Sequence, residues 1–321
     1  MEYKQLIASI SAYGNFKKDC MADKLSQAYL FVCEDGLTAA EFVKEIARLI
    51  VCEQKNACGV CGHCVKANAG THPDIMMYPK GKSFAVLDAS DIYNNVQIKP
   101  MLASKKVFVI NQIDNSTEQA QNKMLKIIEE PPANVMFLLT AQNENKVLGT
   151  IKSRVQKITI GKIDKKLLKN LINTENIAAE IAISNGDGYL GKTLEIAGNE
   201  GYLNIYKNVK NIILNLKNSS EIPAYSKLIS ENSEIFNNSL MIFNDFFRDI
   251  LMLKLNMPSL IKNSNLVVEF GNVLEQYSVL ALVEILKRLN GVKKKLDSNV
   301  NLALLADNML LEILEVKFLC K

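Results

Sequence analysis

Short apolar runs alternate with amphipathic segments through the first half of the sequence, and this alternation restricts the fold more than any other feature. Helical spacing of apolar residues separates the runs, at residues 42–50 and 115–130. Buried strands that alternate with helices predict a parallel sheet with helices on its faces. The runs of strand length are residues 28–33 (AYLFVC), 106–110 (KVFVI), 135–140 (VMFLLT) and 155–160 (VQKITI).

The helix predicted over residues 115–130 carries signals at both ends. Ser116 followed by Gln119 fits a capping box, and the two prolines at 131 and 132 stop the helix. Its buried face should consist of four apolar residues at helical spacing, namely Ala120, Met124, Ile127 and Ile128.

The second half of the sequence changes in character. After residue 162 the apolar residues follow helical periods, and no convincing strand occurs. From about residue 204 the chain is helical throughout, with interruptions at Pro223 and Pro258. We therefore expect the fold class α/β plus α, with an α/β domain at 1–162, a small helical domain at 163–204 and a helical domain at 205–321.

Composition excludes several classes of protein. Apolar residues make up 48% of the 321 residues and charged residues 22%, which excludes a wholly disordered chain. A net charge of +4 is too small for a dedicated nucleic-acid binder. We expect a cytoplasmic protein, because the N-terminus has no secretory pattern and no apolar stretch is long enough for a membrane span.

Four cysteines lie within 13 residues, in the spacing Cys-x5-Cys-x2-Cys-x2-Cys. Cytoplasmic cysteines stay reduced, so such a cluster indicates a metal site rather than disulfides. Four thiolates complete the tetrahedral shell of a structural Zn²⁺, and free thiols or a redox pair are the alternatives. His63 and His72 are candidate substitute ligands. The predicted ligands, in a module at about residues 52–64, are Cys52, Cys58, Cys61 and Cys64.

A phosphate-loop pattern occurs at residues 186–193 (GDGYLGKT), but its context is wrong. Such a loop must join a buried strand to a helix, because the helix N-terminus and the loop amides together bind the phosphates. Residues 178–184, which precede the pattern, are rich in alanine and helical in spacing. We therefore interpret the pattern as a chance match.

The position where a phosphate loop should lie is directly after the first strand, at residues 33–40 (CEDGLTAA). A turn glycine is present, but the Gly-Lys-Ser/Thr sequence is missing, so no lysine can reach the phosphates and no hydroxyl can hold Mg²⁺. The metal-holding acid after residues 106–110 is also altered, since Asn111 stands there. We expect no ATP binding at this degenerate loop, whose residues include Cys33, Gly36, Thr38, Ala39 and Ala40.

Several segments together resemble the AAA+ subunits of bacterial clamp loaders. Residues 111–132 and 135–156 resemble the stretch of that family from the Walker-B strand to the serine-arginine motif. The cysteine loop with residues 71–74 resembles its zinc module, residues 186–197 its lid segment and residues 299–314 a helix near its C-terminus. The resemblance implies an AAA+ sheet domain with a zinc module, a helical lid and a C-terminal helical collar.

The resemblance also implies a role. The chain would be a DNA polymerase III holoenzyme subunit without catalysis of its own, acting with gamma/tau and delta subunits, the sliding clamp and, through the complex, primed DNA, without any membrane. Ser153 and Arg154 match the serine-arginine motif, which presents an arginine finger to the ATP of a neighbouring subunit, and Val155 replaces the usual cysteine.

Two other functions remain open. The chain could be an active clamp-loader ATPase that uses residues 186–193, in which case ATP binding should be lost in Lys192→Ala. It could also be a zinc-dependent nucleic-acid-binding module, in which case residues 50–80 alone should bind DNA tightly and with strong salt dependence.

Overall fold

The computed structural model describes residues 3–172, 177–296 and 301–319. Residues 299 and 300, the first two of the family-like C-terminal segment, lie outside this part of the chain. The chain forms two compact units, one of Met1–Leu171 with Gly188–Gly191 and one of Ile172–Asp187 with Lys192–Lys321. The division into three domains at residues 162 and 204 stays a prediction.

The first unit contains a five-stranded sheet in the order β2-β3-β4-β1-β5, and every pair of neighbouring strands is parallel. All four predicted strands form. The sequence analysis missed β2, a four-residue edge strand in which Met76 is partly buried and Met77 is exposed, so it lacks the apolar run of a central strand. The strands are β1 (Ala28–Val32), β2 (Ile75–Tyr78), β3 (Lys106–Ile110), β4 (Val135–Ala141) and β5 (Gln156–Thr159).

Helices cover this sheet as the alternation predicted. The apolar face of the third helix packs on the sheet, where Phe42 lies 5.5 Å from Phe31 between ring centroids. Phe108 of β3 and Phe137 of β4 are cross-strand neighbours, and their rings stack with centroids 5.4 Å apart. The helices are α1 (Lys4–Ala8), α2 (Ser11–Met21), α3 (Gly36–Val51), α4 (Gly62–Asn68), α5 (Val86–Val96), α6 (Glu118–Glu129), α7 (Gly149–Lys152) and α8 (Lys165–Leu171).

Helix α6 confirms the predicted buried face but corrects the predicted cap. Thr117, not Ser116, caps the helix, and its hydroxyl accepts a hydrogen bond from the amide of Ala120 at 3.3 Å. Ser116 instead belongs to the end of a 3-10 turn at Ile113–Asn115, because its hydroxyl donates a hydrogen bond to the carbonyl of Ile113. The helix therefore begins later than the predicted range, and it ends at Glu129, before the two prolines.

The second unit is helical throughout its described residues. Its core is rich in phenylalanine, and Tyr206 meets Phe246 edge to face at 4.9 Å. With the parallel sheet of the first unit, these helices confirm the predicted fold class. They are α9 (Ile177–Asn185), α10 (Leu190–Gly198, of which Leu190 and Gly191 belong to the first unit), α11 (Glu200–Asn215), α12 (Ile222–Ile229), α13 (Ser233–Lys254), α14 (Val267–Gly271), α15 (Val279–Leu296) and α16 (Leu302–Leu319).

None of the described helices combines the length and the apolar character that crossing a bilayer requires.

Candidate functional site

The carboxyl edge of the sheet is the place where a nucleotide would bind in a fold of this class. From β1 the chain crosses to β2 at one lateral edge of the sheet, whereas from β4 it crosses to β5 at the opposite edge. Such a reversal between neighbouring strands opens a crevice at their carboxyl ends. The degenerate loop lies at this crevice, because β1 ends at Val32 and α3 begins at Gly36.

The N-terminus of α3, where a phosphate would bind, is occupied by a carboxylate of the chain itself. Asp35 caps α3 and accepts hydrogen bonds from the amide of Thr38 at 2.8 Å and from the hydroxyl of the same residue. The same oxygen accepts from the amide of Gly191 at 2.9 Å, and the Thr38 hydroxyl accepts from the amide of Leu190 at 2.9 Å. The Asp35 carboxylate thus accepts from an amide that has no partner within α3, and its negative charge faces the positive end of the helix dipole.

Two glycines make this close approach feasible. A Cβ atom on Gly191 would lie 2.4 Å from Oδ1 of Asp35, so only glycine lets the backbone reach the carboxylate. A Cβ atom on Gly36 would lie 2.5 Å from the Gln112 side-chain nitrogen and 3.1 Å from that of Gln142. Side chains from the ends of β3 and β4 therefore fill the space beside the turn.

The remaining residues of the degenerate loop contribute to packing. Cys33, Thr38 and Ala39 are buried, at 2%, 0% and 1% exposure. Asp114, which follows β3, also has a structural role, since its carboxylate accepts from the amides of Gln142 at 3.1 Å and Asn143 at 2.9 Å. It ties the end of β3 to the end of β4.

The pattern at residues 186–193 joins two helices, α9 and α10, and no strand precedes it. Its first and last residues pack together, because a Cβ atom on Gly186 would lie 2.1 Å from the Thr193 hydroxyl. Thr193 is fully buried. The hydroxyl that would hold Mg²⁺ in a phosphate loop is therefore inside the protein.

The structure brings the four predicted metal ligands together. The sulfur atoms of the four cysteines all lie within 4.8 Å of one another, and those of Cys58 and Cys64 are 3.9 Å apart. A tetrahedral zinc site with Zn–S bonds of about 2.3 Å has sulfur atoms about 3.8 Å apart. The cluster thus fits Zn²⁺, which would be held by all four sulfurs with no position left for water.

The loop favours the thiolate forms of Cys52 and Cys58. Burial raises the pKa of Cys52, but the amides of Cys58, Asn56 and Gln54 outweigh it and lower this pKa to about 6. The amides of Cys61 and Val60 lower the pKa of Cys58, whereas burial raises that of Cys64. Binding of a metal would offset the penalty at Cys64, because a metal binds the thiolate form.

The two histidines lie beside the cysteine cluster and bond to each other. Nδ1 of His63 is 2.9 Å from Nε2 of His72. The amide of Asp74 donates to Nδ1 of His72 at 3.1 Å, so Nε2 of His72 carries the hydrogen and donates to His63. This pairing occupies the two facing ring nitrogens, and the described metal-ligand cluster consists of the four cysteines alone.

Arg154 lies at the surface after the short helix α7. Its guanidinium donates to the carbonyl of Thr150 at 2.8 Å and to the hydroxyl of Ser153 at 3.2 Å. The Ser153 hydroxyl donates to the same carbonyl at 3.0 Å. A second guanidinium nitrogen forms an ion pair with Glu129, at the end of α6. Sequence reasoning missed this partner, because 25 positions separate the two residues in the sequence.

Comparison with known proteins bears on this N-terminal half. The sequence model of the family described as "DNA polymerase III, delta subunit" matches residues 9–164. These residues, just under half of the chain, are thus similar to subunits of DNA polymerase III. The matched stretch contains the degenerate loop, the four cysteines and Arg154, whereas residues 186–193 lie beyond it.

Individual proteins with similar sequences are also subunits of DNA polymerase III. DNA polymerase III subunit tau of Salmonella typhimurium is 30% identical over 164 residues, which are 49% of this chain and 26% of that protein. Subunit delta' of Bacillus subtilis is 25% identical over 195 residues, which are 59% and 58% of the two chains. The chain thus spans only about a quarter of the first relative and under two thirds of the second.

One solved structure is that of a gamma subunit-related protein from Thermotoga maritima, at 18% identity. The alignment covers 94% of this chain and 99% of that one, with a TM-score of 0.45.

Proposed function

We propose that this chain is a clamp-loader subunit of the delta-prime type, which supports loading of the sliding clamp onto primed DNA and hydrolyses no ATP itself. The observation that carries the proposal is the carboxylate of Asp35 at the N-terminus of α3, bonded to Thr38 and Gly191. A phosphate charge about 4 Å from this carboxylate would meet a repulsion of about 4 kcal/mol at an effective dielectric constant of about 20. No lysine in the degenerate loop offsets it.

Titration of the purified chain with Mg²⁺-ATP tests this part of the proposal. We expect no saturable binding at micromolar concentrations, and the same result for Lys192→Ala, because Lys192 follows no strand and belongs to α10. A micromolar dissociation constant that Lys192→Ala abolishes would instead identify an active ATPase that uses residues 186–193.

Arg154 is proposed to serve as an arginine finger for the ATP of a neighbouring gamma/tau subunit. Its guanidinium is exposed, and Thr150 and Ser153 hold it at the end of a short helix rather than in the core. We expect Arg154→Ala to leave assembly intact and to slow hydrolysis at the served site by about 10³-fold, the lower range for such fingers.

The assay is the DNA-stimulated ATP turnover of a complex reconstituted with gamma/tau, delta and the clamp. Lys157→Ala is the matched control, since it removes a neighbouring exposed cation that pairs with Glu144. Turnover of the Arg154→Ala complex equal to that of the Lys157→Ala complex would remove the finger role.

The four cysteines are proposed to hold one structural Zn²⁺, which would supply folding energy to the loop rather than catalysis. Reduced thiols of this kind fit a cytoplasmic protein. We further propose that residues 163–204 act as a lid and residues 205–321 as a collar that holds the chain beside gamma/tau and delta. Mixing the chain with these subunits and weighing the product by native mass spectrometry tests the assembly, and recovery of unmixed subunits alone would contradict it.

A further inference from the structure

The proposed finger has a partner within its own chain. The guanidinium of Arg154 forms an ion pair with the carboxylate of Glu129, and the two side chains are 36% and 40% exposed. Together with the Thr150 carbonyl and the Ser153 hydroxyl, three oxygen groups of this chain surround the arginine. Glu129 carries the negative charge among these three groups, so it is the group that most resembles a phosphate.

The position of Glu129 is unfavourable for α6 itself. An acid in the last turn of a helix opposes the helix dipole, which favours cations there. Glu129 is the last residue of α6, and Glu130 follows it as the C-cap. Both acids are exposed, but Glu130 has no ion-pair partner in the part of the chain that the structure describes. Pairing with Arg154 therefore distinguishes two adjacent and otherwise similar residues.

We propose that Glu129 is a positioning residue that holds Arg154 at rest in this subunit and releases it to the nucleotide phosphates of the neighbouring subunit. This inference rests on the proposed finger role of Arg154. The exchange would replace one carboxylate by a polyphosphate of higher charge, and the contacts to Thr150 and Ser153 would keep the arginine at the same helix end.

The expected effect of the pair is small and has a defined sign. Exposed ion pairs favour the paired state by about 1.5- to 5-fold. The apparent affinity for the nucleotide falls with the fraction of unpaired arginine, so this pairing weakens it by about 2.5- to 6-fold. Removing the charge of Glu129 should therefore lower the KM for ATP about 2.5- to 6-fold. The kcat should not change, because Arg154 contacts the phosphates in the bound state with or without Glu129.

The test compares Glu129→Gln with Glu130→Gln in the reconstituted complex, with primed DNA and the clamp present. The two variants remove the same charge from adjacent exposed positions, so a general effect of charge would move both. We expect a lower KM and an unchanged kcat for Glu129→Gln only. Equal KM values for Glu129→Gln, Glu130→Gln and the wild type would overturn the inference.

A second measurement separates this inference from the finger role. The chain has four arginines, so its Nε–H groups give few NMR signals, and Arg154→Ala assigns the relevant one. In the isolated subunit, Glu129→Gln should shift this signal and Glu130→Gln should not. An unshifted signal overturns the resting contact even where Arg154→Ala slows turnover. A shifted signal with normal turnover in Arg154→Ala instead overturns the finger role and, with it, the release to phosphates.

Discussion

Replacing Asp35 by alanine should loosen the segment Gly188–Gly191 without unfolding the sheet. Asp35 is 7% exposed, and its carboxylate accepts hydrogen bonds from the Thr38 amide and hydroxyl and from the Gly191 amide. Loss of a helix N-cap costs about 0.5–2 kcal/mol. Loss of a hydrogen bond to a charged acceptor costs about 1.5–3 kcal/mol. Since the two terms overlap in part, we expect a loss of about 2–4 kcal/mol in local stability.

Amide hydrogen exchange measures this loss where it occurs. A change of about 2–4 kcal/mol in the opening free energy should accelerate exchange at Thr38 and Gly191 by about 30- to 1,000-fold. Asp35→Asn keeps an acceptor oxygen and should give a smaller increase. Glu34→Ala is the control, because it removes the adjacent acid, which does not cap α3. Unchanged exchange at both amides in Asp35→Ala would refute the reasoning that this carboxylate closes the loop.

Two further predictions concern the four-cysteine cluster and its neighbourhood. Metal analysis should find about one zinc per chain, and Cys64→Ser should lose the metal and unfold the loop, because it would remove one of the four proposed metal ligands from a buried position; a fully folded, metal-free wild type would contradict this. Burial raises the pKa of Asp74, but amides of Ala103, Met101 and Leu102 outweigh it and hold the pKa below its usual value. Its contribution to stability is therefore present above about pH 4 and lost as the pH falls through the lowered pKa. Urea titrations should find Asp74→Asn less stable than the wild type at pH 7, with the difference shrinking below about pH 4; a constant difference would contradict the sign.

Local sequence predicted the elements that carry strong periodic signals. The apolar runs gave β1, β3, β4 and β5, and the helical spacing gave the buried face of α6. The edge strand β2 has too few buried residues for such a signal, and the cap at Thr117 depends on a 3-10 turn that shifts the helix start. Both errors occur where a neighbouring element, rather than the local pattern, sets the structure.

The sequence by itself determined the α/β and helical halves, the four cysteines that meet at one point and the loss of the phosphate-binding residues after β1. These features follow from residue type and short spacing, which fix periodicity and ligand geometry within a few turns of chain. Only the tertiary structure decided which groups lie at the N-terminus of α3, where a phosphate would otherwise bind. Asp35 accepts from Gly191, which is 156 positions away, and Arg154 pairs with Glu129 across two helix ends. Each of these contacts joins segments that are distant in the sequence and that only the folded chain brings together, so no local pattern encodes them.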